Sequence, residues 1–189
     1  MKNFLSFAPE ILQTKPMNLK TRVFELLILI FLVGLSACKK DESLPAAVNG
    51  TIVINELLPR NSTHGADQDG QFDDWIELYN LSSQNLDISG YYLTDSKNEL
   101  TKWKFPEGTT IAKSGYLIVW ADKDTTQTGL HTNFKLSASG ETVVFLTPAQ
   151  EVIDEVKFPE DSLEFSYARK PNGTGSFVKS TPTFNAENK

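Results

Sequence analysis

Apolar and polar residues alternate in short segments along the chain from residue 51 onward. These segments are rich in Val, Ile, Tyr, Phe, Trp and Thr, the residues that suit a pleated, half-buried surface. Turn residues such as Ser89-Gly90 and Ser139-Gly140 separate the segments. The predicted strands are TIVINEL (51–57), DWIELYN (74–80), LDISGYYLTD (86–95), TKWKFP (101–106), GYLIVWAD (115–122), NFKLS (133–137), ETVVFLT (141–147), VIDEVKFP (152–159) and EFSYARK (164–170).

Many short strands at regular spacing predict an all-β sandwich or barrel. No segment after residue 38 keeps an apolar period near ~3.6 residues, so no long helix is expected. Tyr91 and Tyr92 are adjacent and face opposite sides of a strand, so one belongs to the core and the other to the surface. An exposed ring there would suit a sugar or a protein partner. The predicted core comprises Trp75, Ile76, Leu78, Tyr92, Leu93, Trp103, Phe105, Leu117, Val119, Trp120, Val143, Phe145, Val152, Val156 and Phe158.

A different pattern precedes the strands. The segment VFELLILIFLVGL (23–35) is apolar apart from one glutamate, follows two basic residues, and leads into the small residues Ser36 and Ala37. This order predicts a secretory signal peptide over residues 1–37. A transmembrane anchor is the weaker interpretation, because a spanning helix needs about 20 apolar residues. A compact leader begins at Met17, which we expect to be the true start of translation.

The only cysteine of the chain, Cys38, lies directly behind this leader. The segment from Leu35 to Cys38 resembles the bacterial lipobox, in which the cysteine becomes the first mature residue and is acylated. Several acyl chains hold a protein firmly on a bilayer. The resemblance therefore implies a lipoprotein of the bacterial outer membrane, attached to membrane lipid through Cys38. The alternative is an unmodified thiol.

The residues that follow are charged: Lys39, Lys40, Asp41 and Glu42. A lysine followed by acidic residues after a lipidated cysteine resembles the export signal that sends some lipoproteins to the cell surface. The alternative is a solvated linker. We expect residues 38–50 to be a lipidated N-terminus with a flexible linker, and residues 51–185 to be the folded domain.

Charge excludes one class of partner. The leader carries four basic and two acidic residues, which leaves 14 basic and 22 acidic residues and a net charge of −8 after its removal. Binding to nucleic acid or anionic lipid headgroups needs a basic patch, so neither is expected. The lipid, rather than the protein surface, must provide the membrane attachment.

Seven segments in order resemble the lamin tail domain family in its bacterial branch, from about residue 52 to residue 169. They are IVINELLPRNS, DWIELYN, LDISGYYLTDS, WKFPEGTTIAKSGYLIVWA, GLHTNFKLSASGETVVFL, IDEVKFP and SYAR. The resemblance implies an immunoglobulin-like β-sandwich with a role in binding or display rather than catalysis. This chain lacks the heptad repeats that precede the domain in nuclear filaments, so filament partners are not carried over.

One loop concentrates carboxylates that could hold a hard cation. Calcium binds six to eight oxygens, and acidic side chains on alternate loop positions supply them. The spacing after Gly70 fails the EF-hand pattern, and a solvated acidic turn is the alternative interpretation. The candidate calcium ligands are Asp67, Asp69, Asp73 and Asp74, with Glu77 in the next strand and Glu56 in the first.

Three functions remain open at this level. The first is a non-catalytic, lipid-anchored binding module for a protein or a polysaccharide. The second is a periplasm-facing structural lipoprotein of the envelope. The third is a metal-dependent hydrolase that uses the acidic loop. The chain has two histidines, and we expect His131 to be a hydrogen-bonded loop residue rather than a ligand, and His64 to be solvated. The first function is favoured because no catalytic motif accompanies the predicted sandwich.

Overall fold

The computed structural model describes residues 44–47, 50–160 and 164–189. The predicted signal peptide and the candidate residues Cys38, Lys39, Lys40, Asp41 and Glu42 lie outside them. Within the described ranges there is no helix, and therefore none that could cross a membrane.

Strands account for the regular structure of these residues. They are β1 (Ile52–Leu58), β2 (Trp75–Asn80), β3 (Leu86–Asp87), β4 (Tyr92–Thr94), β5 (Trp103–Lys104), β6 (Thr110–Ile111), β7 (Tyr116–Trp120), β8 (Gly140–Leu146), β9 (Val152–Pro159), β10 (Ser166–Lys170) and β11 (Ser176–Ser180). A five-stranded sheet has the order β11-β10-β1-β2-β7, and a four-stranded sheet has the order β5-β4-β8-β9. A short pair, β3-β6, completes the fold, and every strand pairing is antiparallel. The predicted all-β, immunoglobulin-like sandwich is confirmed.

The main core lies between the two large sheets. Ile76 and Leu78 of β2 meet Val143 and Phe145 of β8 in one buried cluster. Because side chains alternate along a strand, the neighbouring Trp75 and Glu77 of β2 face the outer side of the five-stranded sheet. The alternation in the sequence therefore identifies which residues of this sheet face the core and which face its outer side.

A β-bulge sets the register of the central strand. Ile54 pairs with Leu78, but Glu56 pairs with Glu77, so Asn55 is the extra residue on β1. The bulge places the two glutamates opposite each other on the outer face, where both are buried. This face is covered by the C-terminal segment, residues 181–188, which hydrogen-bonds to both carboxylates.

A second, smaller hydrophobic cluster lies on that outer face. Leu58, Trp75 and Trp120 form it, and Phe184 of the C-terminal segment packs against it. The ring of Phe184 lies 5.5 Å from that of Trp75 and 5.7 Å from that of Trp120. Both tryptophans are therefore buried as predicted, but beneath the C-terminal segment rather than between the sheets.

Three other core assignments differ from the prediction. Val152 is 50% exposed because it begins the edge strand β9, and Tyr92 and Leu117 are only partly buried. Tyr91 takes the core position instead, at 4% exposure, and its hydroxyl donates a hydrogen bond to the Ala47 carbonyl over 2.6 Å. One tyrosine of the pair is in the core, as expected, but it is not the one assigned.

The strand predictions fail in three places. Residues 133–137 form no strand: Lys135 makes an isolated bridge with Asp122, just after β7, and the alternation of the segment reflects burial of Phe134 and Leu136. Segment 86–95 splits into β3 and β4 at the Ser89-Gly90 turn. Strands β6 and β11 were not predicted, because the first has two residues and the second is a largely exposed edge with little apolar alternation.

Residues at both ends of the predicted domain pack onto it. Ala46 forms a bridge with Asp87, and the Asp87 amide donates to the Pro45 carbonyl over 3.0 Å. At the other end, the Asn188 side chain donates to the backbone carbonyls of Asn55 and Arg169, each over 3.1 Å. The folded body thus extends to residues 45 and 188.

Candidate functional site

Two long loops leave the same end of the five-stranded sheet. Strand β1 begins at Ile52 opposite Asn80 and finishes at Leu58 opposite Trp75, which in turn pairs with Trp120. The loop after β1 (59–74) and the loop after β7 (121–139) therefore lie together. We call them the distal loops, because the chain enters the domain at the other end of β1.

The distal loops bring together three side chains that can bind a metal. Asp67 comes from the first loop, and Asp122 and His131 come from the second. All three are buried, and one ligand atom of each lies within 4.8 Å of the others. No other group of three or more such residues occurs in the part of the chain that the structure describes.

A tight turn holds Asp67. Its Oδ1 accepts hydrogen bonds from the backbone amides of Asp69 (2.9 Å) and Gln71 (2.7 Å). Gly70 supplies the left-handed conformation at φ 79° that this turn requires. Asp67 is only 9% exposed, and its second oxygen, Oδ2, is buried without a hydrogen-bond partner. One oxygen is thus fixed by the backbone and the other remains for a ligand.

Asp122 and His131 are positioned by the end of β7. Asp122 Oδ1 accepts from the Asp124 amide over 2.9 Å, and Oδ2 lies 2.6 Å from His131 Nδ1. His131 Nε2 is 3.2 Å from the carbonyl of Thr128. Because a carbonyl only accepts, Nε2 carries the hydrogen of that bond. The imidazole stacks on Trp120 with ring centroids 6.5 Å apart, which fixes its plane.

The two distal loops touch each other next to this cluster. Gly129 has φ 120°, and a Cβ atom there would approach the side chain of Gln68 to 2.9 Å. Gln127, in the same loop, has a buried Oε1 without a partner. In the described ranges, Asp67 Oδ2 and Gln127 Oε1 are the buried side-chain polar atoms that lack a hydrogen bond. Both therefore belong to the distal loops.

The fold and the sequence agree on one family. The model of the Lamin Tail Domain matches residues 45–160, which include the four-stranded sheet, strands β1, β2 and β7 of the five-stranded sheet, and the distal loops. The chain belongs to the lamin tail domain family. This family has a non-catalytic, immunoglobulin-like domain, as the resemblance implied. A sequence search of curated proteins finds no match.

The structure of this lamin tail domain separates the four predicted aspartates of the acidic loop. Of the four, Asp67 alone joins the cluster, while Asp69 is exposed. The pKa of Asp73 is raised by partial burial and by the negative charges of Asp122 and Asp67. Burial raises the pKa of Asp74 to about 7, and its backbone carbonyl accepts from the Ala121 amide over 2.7 Å. Asp73 thus lies close to the cluster. The backbone of Asp74 instead links the two loops at the point where they leave the sheet.

The two predicted glutamate ligands have another role in this domain. Glu56 accepts from the amide and hydroxyl of Thr183, and Glu77 accepts from the amide of Asn185 (2.6 Å) and the side chain of Asn55 (2.8 Å). Burial raises the pKa of Glu56. Burial, together with the negative charge of Glu56, raises the pKa of Glu77 to about 7. We call this pair the tail clamp, because it holds residues 183–185.

Sequence reasoning missed Asp122 and assigned His131 to a loop hydrogen bond. That bond exists, since the imidazole contacts both Asp122 and Thr128. The sequence signal for a site was weak, because Asp67 lies far along the chain from the other two residues. Only the antiparallel pairing of β1, β2 and β7 brings these loops to one end.

Proposed function

We propose that this lamin tail domain is a non-catalytic interaction module, anchored in the bacterial outer membrane through acyl chains on Cys38 and displayed at the cell surface. Its partner is a protein or a polysaccharide, bound by the distal loops. Family membership supports a binding or structural module of immunoglobulin type. The lipobox-like segment before Cys38 and the charged residues after it support the anchor and the export to the surface.

The observation that carries the proposed binding surface is that both distal loops lie at the end of β1 opposite the end where the chain enters the domain. Six residues lie between Cys38 and Pro45, which is the first of the described residues with a hydrogen bond to the domain. A fully extended tether of that length spans at most about 25 Å. The distal loops begin at the far end of the seven-residue strand β1, about 20 Å from its start.

The distal loops also carry an exposed aromatic side chain. Phe72 lies in the acidic loop and is 48% exposed, beside the exposed Asp69. Aromatic residues are enriched among the side chains that contribute most to binding. Acidic neighbours favour a partner whose surface is basic at the rim and apolar at the centre. Phe72 is thus the proposed anchor residue of the interaction.

Lipid attachment and orientation are tested in intact bacteria. Cells that express the protein are labelled with an alkynyl analogue of palmitate, and Cys38→Ala is the matched variant. We expect label on the wild type and none on the variant. Protease is then added to intact cells, comparing the wild type with a variant in which residues 39–42 are alanine. Cleavage of the wild type alone supports surface display; protection of both indicates a structural envelope subunit that faces the periplasm.

The interaction surface is tested with a photo-crosslinking amino acid at one of two exposed positions. Phe72 lies in a distal loop, whereas Leu81, 37% exposed, follows β2 at the end where the chain enters. We expect the crosslinker at position 72 to give a discrete adduct on living cells, and the one at position 81 to give none. Equal adducts from both positions, or adducts from 81 alone, would contradict the assignment of the distal loops.

A further inference from the structure

We propose that Asp67, Asp122 and His131 form a binding site for one divalent transition-metal ion of the Zn²⁺ type. The ion would join the two distal loops. This site shares only Asp67 with the calcium loop that the sequence predicted. It stands independently of the membrane anchor and of the interaction partner, since it rests on the geometry of the loops alone.

The donor atoms are the first support. Two carboxylates and one imidazole offer ligand atoms within 4.8 Å of one another, in a fully buried setting. The Asp67 oxygen Oδ2 is buried and has no partner, although leaving a buried charged oxygen unpaired costs free energy. A cation next to it would remove that cost. Gln127 Oε1, in the second distal loop, is likewise buried and unpaired.

The surroundings of each ligand are the second support. Ligating side chains in metal sites are oriented by hydrogen bonds to their remaining polar atoms. Here Asp67 Oδ1 accepts from two backbone amides, and Asp122 Oδ1 accepts from one. His131 Nε2 donates to the Thr128 carbonyl, which directs Nδ1 toward Asp122. Each residue thus has one atom held by the protein and one directed to the cluster.

The chemical types of the three donor atoms determine which metal ion the site would prefer. Calcium takes six to eight oxygen ligands, whereas an imidazole nitrogen with carboxylates suits zinc and its neighbours. All three residues are buried, and they come from both distal loops, so a bound ion would link the two loops. The expected role is therefore to fix the distal loops in one arrangement.

A metal ion would replace the hydrogen bond between Asp122 and His131. Their Oδ2 and Nδ1 atoms lie 2.6 Å apart. Two ligands bound about 2.0–2.1 Å from a tetrahedral zinc ion are about 3.3 Å apart. Binding therefore requires these side chains to separate by roughly 0.7 Å. A shift of this size is within the reach of a side-chain rotation at the end of β7.

The test uses the full chain, purified in detergent and stripped of metal with a chelator. Zn²⁺ alone is then titrated by calorimetry, and the melting temperature is measured with and without it. We expect one ion per chain and a rise in melting temperature of about 5–10 °C when Zn²⁺ is at ~100 times its Kd. Ca²⁺ at the same concentration should give no comparable rise.

Three variants distinguish this site from other binding. Asp67→Asn retains the acceptor for the two backbone amides but should weaken Zn²⁺ binding by more than about 10–100-fold. Asp122→Asn should do the same. His64→Gln removes the other histidine, which contacts Glu164, and should leave binding unchanged. Absence of a Zn²⁺ response in the wild type, an unchanged response in Asp67→Asn and Asp122→Asn, or loss of the response in His64→Gln would overturn the proposal.

Discussion

Two sets of buried carboxylates in this domain differ in whether hydrogen bonds satisfy all of their oxygens. In the tail clamp, Glu56 and Glu77 receive hydrogen bonds from the C-terminal segment and from Asn55, so both oxygens of each carboxylate have partners. In the cluster of Asp67, Asp122 and His131, Asp67 keeps one buried oxygen without a hydrogen-bond partner. Burial and charge are similar at the two places. The protein itself satisfies both carboxylates of the clamp, whereas it leaves one buried oxygen of Asp67 without a hydrogen bond.

The largest effect is expected from breaking the clamp. Glu56→Ala removes the acceptor for the amide and hydroxyl of Thr183 and frees the segment that covers Trp75 and Trp120. Loss of the partner of the Thr183 amide, together with the uncovering of Trp75 and Trp120, should lower the free energy of unfolding by about 2–4 kcal/mol. Urea denaturation measures this loss. Glu187→Ala, at an exposed position of the same segment, is the control and should change stability by less than about 0.5 kcal/mol.

The clamp should also make stability depend on pH. The pKa of Glu77 is raised to about 7 from its ordinary value of 4.5, so the folded state binds more protons than the unfolded state between these values. Its contribution is complete below about pH 4.5 and is lost as the pH rises through about 7. The free energy of unfolding should therefore fall by about 2–3 kcal/mol between pH 4.5 and 7.5 on account of Glu77.

Glu77→Gln is the variant that isolates this dependence. Urea denaturation at several pH values should give a shallower decline for the variant than for the wild type. A residual decline is expected, because burial also raises the pKa of Asp74 to about 7. Glu99→Gln, an exposed substitution, should reproduce the wild-type profile. Parallel profiles for the wild type and Glu77→Gln would show that the clamp carboxylate is not the cause.

A smaller effect is expected from the contact between the distal loops. Gly129→Ala introduces a Cβ atom at φ 120° and within 2.9 Å of Gln68. The strained backbone and the crowded contact should lower the free energy of unfolding by about 1–2 kcal/mol. Gly108→Ala is a matched substitution at φ 81° with open space around it, so it has the backbone strain without the crowding. Equal losses in both variants would exclude the loop contact as a cause.

Much of this fold follows from local pattern, because a strand buried on one face must alternate. Strands β2, β7, β8 and β9 lie where alternation predicted them. The pattern could not show that Trp75 and Trp120 are covered by Phe184, since the covering residue lies in a segment without alternation. It also could not separate residues 133–137 from a strand, because Phe134 and Leu136 are buried without a ladder.

The candidate site was less accessible to sequence reasoning. Clustered aspartates indicated a cation loop, but the spacing could not show which carboxylates point inward. Backbone amides decide this: those of Asp69 and Gln71 bind Asp67 and turn it toward the second loop. The bulge at Asn55 determines that Glu56 meets Glu77 rather than the acidic loop. The bulge arises from the pairing of β1 with β2, which the spacing of residues along the chain does not show.

The most direct test of the contrast between clamp and cluster is a crystal structure of the protein grown with Zn²⁺, with anomalous scattering measured at the zinc edge. We predict one strong peak about 2.0–2.2 Å from Asp67, Asp122 and His131, with no peak at the tail clamp. Asp122 Oδ2 and His131 Nδ1 should lie farther apart than 2.6 Å. A peak only at His64, or no peak within the distal loops, would contradict the account.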